Sequence, residues 1–531
     1  MRHAVESGKP VPRTPYRMAA LDVGTNSIHM IIVEAEQRGY RIIDKEKQMV
    51  LLGRGSLGGE PLTEESMSNG IAAIKRMAEI ARRWEVQDIV AVATSAVREA
   101  SNRGQFLREV KKAADINLQV ISGEEEADLI FRAVRAAVDF GGKTALCVDI
   151  GGGSVEFILG TEDEVYFTAS ERLGSLRLAQ KFFSHDPPRG KDIDACRLHV
   201  KKTLKRTLSR IRALEFDFGI GTSGTIVALA DLTTANDSTE QIASGLRWVN
   251  RRRLEELIDD LSRFTAGERV SKLGIDPQRA ASILPGAIVL YEVLDWLDID
   301  TLRSCSAALR EGIVERTLSN QRNSDVRHSS VRSSSVLTLA ERSKYGKAHA
   351  EQVARLALRI FDQTARIHKL GDEAREFLSY AALLHEIGIH VAYQRHHKHS
   401  YYLIRHSGLK GFTDDQVAVI ANVARYYRKA IPRDEHPNFS ELSAEQQEVV
   451  QKLVAILRIA DGLDRGHRQA VKDVDVQASN GSIIFDVRPR SSPELEVEAA
   501  AKRAKYFSRI FHCKTRFHIS GTNTKLGEAA R

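Results

Sequence analysis

Two short stretches of the chain carry residue types suited to phosphate chemistry. DVGTNS (22–27) and DIGGGS (149–154) each follow an apolar strand that ends in aspartate, and each leads into a second apolar strand. Glycine lets such a turn bend tightly and approach a ligand with no Cβ in the way. The exposed N–H groups then form an anion cradle, which the hydroxyls of Thr25, Ser27 and Ser154 extend. One turn of this kind needs no ligand, since a plain hairpin has the same composition. Two copies, each led by an aspartate, favour a phosphate site. Gly24, Thr25, Asn26 and Ser27, with Gly151, Gly152, Gly153 and Ser154, are the candidate phosphate contacts. Asp22 and Asp149 are candidate ligands of a hard cation such as Mg²⁺, which is held through one or two carboxylates and waters. Glu156, two residues after Ser154 on the same strand face, is a third candidate ligand or a strand carboxylate paired with Lys or Arg. The turn GIGTSGTI (219–226) adds Gly224. TSAVR (94–98) reads as the end of a buried strand, where Arg98 would make bidentate bonds to phosphate or an interlobe salt bridge.

The stretch ISGEEEADLI (121–130) places three glutamates at a helix start. Ser122 and Glu125 have capping-box spacing, and first-turn carboxylates favour the positive end of the helix dipole. The apolar stripe Ile130, Ala133, Val134 and Ala137, stepped back four residues, reaches Glu126. Glu124 points the other way, towards solvent, and capping occupies Glu125. Glu126 is thus the carboxylate aimed inward, costly there unless something uses it or a cation pairs with it. It is the candidate general base.

These residues need a scaffold. The segments 18–34 and 144–160 repeat one strand–turn–strand pattern, each followed by alternating helical and strand segments, which predicts two similar α/β lobes with a cleft between them. The serine-rich stretch 319–336 reads as a linker. From about 337 to 468 the spacing is helical, and from 469 a strand–turn–strand–helix–strand pattern predicts a small α+β module. The expected domains are 1–140, 141–318, 319–468 and 469–531.

With 531 residues, the chain is too long for a single core. No apolar run suits a membrane span, the N-terminus lacks a secretory h-region and reads as a short tail, and the four cysteines form no pairing or metal-ligand pattern. A reducing cytoplasm is the expected location. The net charge of +8 suits an anionic partner, with no signature of sequence-specific nucleic-acid binding.

The ordered set DVGTNSIHM, TSAVR, ISGEEEA, DIGGGSVE, GTSGT, ILPGA and ALREG resembles the exopolyphosphatase and guanosine pentaphosphate phosphatase family. LLHEIG, HKHSYYLI and RYYRKAI resemble the helical third domain of its long members. The resemblance implies two actin-like lobes (RNase H-like, ASKHA), then an all-α HD-like domain and a small α+β domain. It implies Mg²⁺-dependent, processive removal of terminal phosphate from inorganic polyphosphate by direct water attack, with Glu126 as catalytic residue. Mn²⁺ as a substitute, K⁺ as an activator and a homodimer are further implications. Alternative activities are cleavage of the 5′-terminal phosphate of pppGpp and phosphate transfer by a kinase of the same superfamily.

In the helical region His349, the pair His385–Glu386 and Asp461 lie on apolar faces that would converge inside the bundle. This resembles the HD phosphohydrolase arrangement, with Glu386 where an aspartate is expected. The cluster would hold a metal or be a satisfied buried polar group; the phosphatase resemblance implies a domain without metal. YQRHHKHSYYLIRH (393–406) and RYYRKAIPR (425–433) are expected to form a basic rim or a groove for a polyanion, whose binding would then depend on salt.

Overall fold

The computed structural model of the chain describes residues 15–36, 39–234, 247–321, 331–479, 481–520 and 525–529. Most of the expected N-terminal tail, and 322–330 of the expected linker, lie outside the described residues. The chain forms two compact units, one within 1–235 and 247–327, the other within 328–531.

The first unit uses one sheet topology twice. β1 (Arg17–Val23), β2 (Ser27–Ala35) and β3 (Tyr40–Met49) form an antiparallel meander, and β4 (Asp88–Ala93) and β5 (Leu118–Val120) extend it in parallel. β6 (Ala145–Ile150), β7 (Val155–Gly160) and β8 (Val165–Glu171) repeat the meander. β9 (Phe218–Thr222) and β11 (Thr301–Ser304) extend it in parallel, with β10 (Trp248–Asn250) antiparallel at the edge. Parallel neighbours need crossovers. The helices Glu64–Arg83 and Gly190–Leu214 lie in the crossovers from β1 to β4 and from β6 to β9.

The central strands β1 and β6 are near-continuous apolar runs because both faces are covered, whereas the edge strands β3 and β8 are not. Ala19, Leu21 and Val23 of β1 enter one core, while Met18 and Ala20 enter another that also takes Ala145 and Cys147 of β6. Counting by twos, Asp22 and Asp149 end their strands on this shared side. Ala127, Ile130, Phe131 and Val134 of the acidic helix Gly123–Ala137 pack into the same core. So do Ile313 and Val314 of the helix Leu309–Gln321, which returns after the second sheet to lie against the acidic helix and β1. Their close approach depends on Gly312, where a Cβ would fall on the carbonyl oxygen of Leu129. The acidic helix is thereby wedged where both aspartate-led turns emerge.

The second unit is helical from Val331 to Gly462, followed by a four-stranded sheet, β12 (Val471–Ser479), β13 (Ser482–Pro489), β14 (Lys514–Ile519) and β15 (Lys525–Ala529), crossed by the helix Glu494–Ile510. One apolar core runs through both parts, joining Val353, Leu378 and Leu457 to Val474, Phe485 and Phe507.

Two local expectations are corrected. The serines of VRSSSV are helical, within Val331–Arg342, because burial of Val336, Leu339 and Ala340 outweighs their poor helix propensity. TSAVR does not end a strand: β4 stops at Ala93 and Ser95–Glu99 is a short helix, so Arg98 turns away from the strand end.

Candidate active site

The two aspartate-led turns close in the same way, by Gly24 N–H to Ser27 O at 3.1 Å and Gly151 N–H to Ser154 O at 3.0 Å. They also meet each other. Thr25 Oγ1 lies 3.0 Å from Ser95 Oγ, and a Cβ on Gly152 would lie 3.0 Å from Thr25 Cβ. A Cβ on Gly153 would collide with Ser95 Oγ, so the glycines are required by close approach. Arg177 fastens the junction, donating to Gly153 O at 2.8 Å and to Glu99 at 2.6 Å.

Both turns open onto a cavity of 510 Å³. Its wall includes Asp22, Glu126, Asp149, Ser223, Gly224, Arg279 and Arg310, and every predicted turn residue. Ser223 has a positive φ of 82° at the start of the helix Ser223–Thr234 and donates to Ile150 O at 3.0 Å. A non-glycine residue held there costs energy, and such strain gathers at ligand sites. Gly224 makes room for the Arg279 guanidinium, which occupies the place its Cβ would take.

The carboxylates are buried together. Burial, with Glu126 next, pushes Asp22 up to about 7; burial, with Glu126 and then Asp22, pushes Asp149 up to about 8. Oδ1 of Asp22 is buried with no hydrogen-bond partner. Two proton-hungry carboxylates and an orphaned oxygen beside a phosphate cradle fit a divalent cation. Both groups hold their proton more tightly in the folded chain than at their ordinary value of 3.8. Their contribution to stability is therefore full at low pH and is lost as pH rises towards 7 and 8. Metal-free protein is expected to lose several degrees of Tm between about pH 5 and about pH 8.5, with Mg²⁺ restoring most of it. A Tm that stays level or climbs across that window in calorimetry would contradict this assignment.

The acidic triplet divides as its helix position dictates, with one correction. Glu124 is exposed. Ser122 Oγ accepts from Glu125 N–H at 3.0 Å, but only half of the capping box forms. The Glu125 carboxylate instead takes a charged donor, Arg316, at 2.7 Å. Glu126 is 8% exposed, and Arg98 Nη1 donates to its Oε2 at 2.9 Å and to Ile121 O at 3.0 Å. Burial raises the pKa of Glu126 and Arg98 opposes the rise.

Arg98 therefore does not line the cavity as a phosphate contact; it stands behind Glu126 as its counter-charge. A buried carboxylate left alone would cost several kcal/mol, so this pairing takes precedence over a reach into solvent. Glu156 is also placed off the cavity wall. It lies opposite Asp149 in the β6–β7 register, accepts from Ser170 Oγ at 2.8 Å, and is pushed well up by burial, then by Glu126 and Asp149.

Arg310, His29, Arg279 and Lys47 are among the wall residues not singled out from sequence. Arg310 sits inside the quoted motif ALREG, whose Glu311 accepts from Ala308 N–H and Arg310 Nε. His29 shares a face of β2 with Ser27, a relation the two-residue period contains. Arg310 Nη1 lies 3.3 Å from His29 Nδ1, and Ser27 Oγ lies 2.7 Å from Nε2. Because Arg310 can only donate, Nδ1 accepts and Nε2–H donates to Ser27. The Ser27 hydroxyl proton is then free for a ligand oxygen. Burial, with Arg310 next, lowers His29 to about 3, keeping it neutral. Arg279 and Lys47 carry no sequence signal that marks them.

In the second unit His349, His385, Glu386 and Asp461 come together, with ligand atoms within 4.8 Å of one another. The histidine tract does not form a uniform basic face: His396 and His397 are buried, and His396 Nε2 lies 2.6 Å from Tyr427 Oη.

The model of the Ppx/GppA phosphatase family matches residues 31–321, and that of Ppx/GppA phosphatase domain III matches 331–492. A guanosine-5′-triphosphate,3′-diphosphate pyrophosphatase of Vibrio vulnificus is 28% identical over 491 residues, covering 91% of this chain and 95% of that protein. A crystal structure of an exopolyphosphatase from Cytophaga hutchinsonii is 29% identical with a TM-score of 0.53, covering 57% of this chain and 98% of the other. The Aquifex aeolicus member of the Ppx/GppA family is 25% identical with a TM-score of 0.50, covering 59% and 100%.

Proposed function

Because the chain belongs to the Ppx/GppA phosphatase family, we propose that its cavity removes the terminal phosphate of linear polyphosphate by direct attack of water. The carrying observation is the composition of the wall. It presents Lys45, Lys47, Arg279 and Arg310 beside two phosphate turns and, among the described residues, no Phe, Tyr or Trp on which a base would stack. Such a wall suits a repeating anion.

Phosphoryl transfer asks a protein mainly for positioning and electrostatics. The N–H groups and hydroxyls of 24–27 and 151–154 bind the terminal phosphoryl oxygens, and Arg310 and Arg279 offset their charge. Glu126 orients the water and takes its proton. Its raised pKa makes it a better base than an exposed carboxylate. Arg98 holds Oε2, so the proton goes to Oε1. Asp22 and Asp149 would hold a divalent cation, which supplies charge neutralisation at the phosphoryl group when bound.

A second reading has its own support. The relatives that cover 91% of this chain are named guanosine-5′-triphosphate,3′-diphosphate pyrophosphatases, which favours pppGpp as substrate. Phosphate release from long-chain polyphosphate and from pppGpp, side by side with and without Mg²⁺, tests both. Polyphosphate is expected to give a kcat/KM at least about tenfold higher, a difference of about 1.4 kcal/mol in transition-state binding. The reverse ratio would make the nucleotide the substrate. ATP turnover that requires an acceptor, with neither substrate hydrolysed, would replace both readings with a kinase.

A further inference from the structure

The helical unit contains four acceptor atoms that face one another with no donor among them. His349 comes from the helix Lys347–Gln363, His385 and Glu386 follow the helix Asp372–Leu384, and Asp461 ends the helix Ala444–Gly462. His349 Nδ1 lies 2.9 Å from Asp464 Oδ2, and His385 Nδ1 lies 2.7 Å from Ala382 O. Both partners are acceptors, so each Nδ1 carries the proton and each Nε2 presents a lone pair. Those two Nε2 atoms are buried and have no hydrogen-bond partner. His349 Nε2 faces Asp461 Oδ1 at 3.4 Å and Glu386 Oε2 at 3.8 Å, and His385 Nε2 faces Asp461 Oδ1 at 3.5 Å.

The outer oxygens of the same carboxylates are satisfied. Arg503, from the helix Glu494–Ile510, pairs with Asp461 Oδ2, and Tyr427 Oη donates to Glu386 Oε1 at 3.3 Å. The inner oxygens are left to the imidazole lone pairs. Lone pairs converging in a dry interior repel, and such an arrangement persists only around a cation. We propose that His349, His385, Glu386 and Asp461 bind one four-coordinate divalent transition-metal ion, with Zn²⁺ the best match.

The spacing agrees with that ion. Bonds of about 2.0–2.1 Å at tetrahedral angles place neighbouring ligand atoms roughly 3.3 Å apart, close to the two shortest separations here, and the four atoms, all within 4.8 Å of one another, would draw in slightly around the ion. Two imidazoles with two carboxylates also select a borderline ion over Mg²⁺ or Ca²⁺. The supporting contacts are those metal sites use. Asp464 and the Ala382 carbonyl orient the imidazoles, Arg503 turns the Asp461 carboxylate, and the His467 ring stacks on His349 at 3.6 Å. The ion would join three helices of the bundle at the point where the α+β module supplies Arg503.

The test uses the full chain, purified without a histidine tag and stripped with chelator. Addition of Co²⁺ is expected to produce the intense visible absorption of four-coordinate cobalt, and Zn²⁺ is expected to bleach it. After gel filtration the wild type should retain about one Zn²⁺ per chain, His385→Ala and His349→Ala less than about a tenth, and the cavity variant Glu126→Gln the full amount. Failure of the stripped wild type to retain Zn²⁺ would overturn the proposal and leave a protonated imidazole as the cation. Retention by His385→Ala would overturn it equally. Should the histidine variants not fold, the cobalt spectrum of the wild type decides: only the pale spectrum of six-coordinate cobalt would refute the site.

Discussion

Glu126→Gln is expected to slow phosphate release by about a thousandfold while polyphosphate affinity stays within about threefold. The amide keeps the size and much of the hydrogen bonding of the carboxyl but cannot take a proton from water. Glu126 is buried beside the turns, where burial raises its pKa and Arg98 donates to its Oε2. Single-turnover release measured alongside equilibrium binding separates the two effects. Normal turnover by the variant would remove Glu126 from the chemistry. A proportionate loss of binding would make it a substrate contact instead.

Arg98→Met is expected to lower release at neutral pH roughly a hundredfold, with the acid limb of the pH–rate profile moving upward. The direction follows from the two opposing causes at Glu126. Burial raises its pKa, and the Arg98 charge and hydrogen bond lower it. Without the guanidinium, Glu126 keeps its proton to higher pH and is inactive as a base over more of the neutral range. A phosphate-binding arginine would behave differently, raising KM and leaving the limb in place. Arg98→Lys should restore part of the profile, because a single charged donor can still reach Oε2. A wild-type profile in Arg98→Met with raised KM would return Arg98 to the phosphate wall.

The sequence read alone identified much of this site because the relevant signals are local. A glycine turn led by a strand-ending aspartate needs no ligand when it stands alone, but its duplication at 22–27 and 149–154 points to two like lobes. The assignment of Glu126 as the inward glutamate needed only helix periodicity, since four residues separate it from Ile130 on a face that the fold buries. The convergence of His349, His385, Glu386 and Asp461 was likewise legible from apolar faces.

What the sequence could not decide was which partner each charged group takes, because partners come from distant segments and compete by geometry. Glu125 has capping-box spacing, yet Arg316, 191 positions away, takes its carboxylate. Arg98 looked equally fit for phosphate, but a buried Glu126 leaves it little choice. Arg279 and Arg310 reach the cavity from segments far along the chain from both turns, and Gly224 leaves the space for Arg279. Local periodicity determines which side chains face inward. Only tertiary structure decides which of them meet, because the cost of burying an unpaired charge is settled where the segments pack.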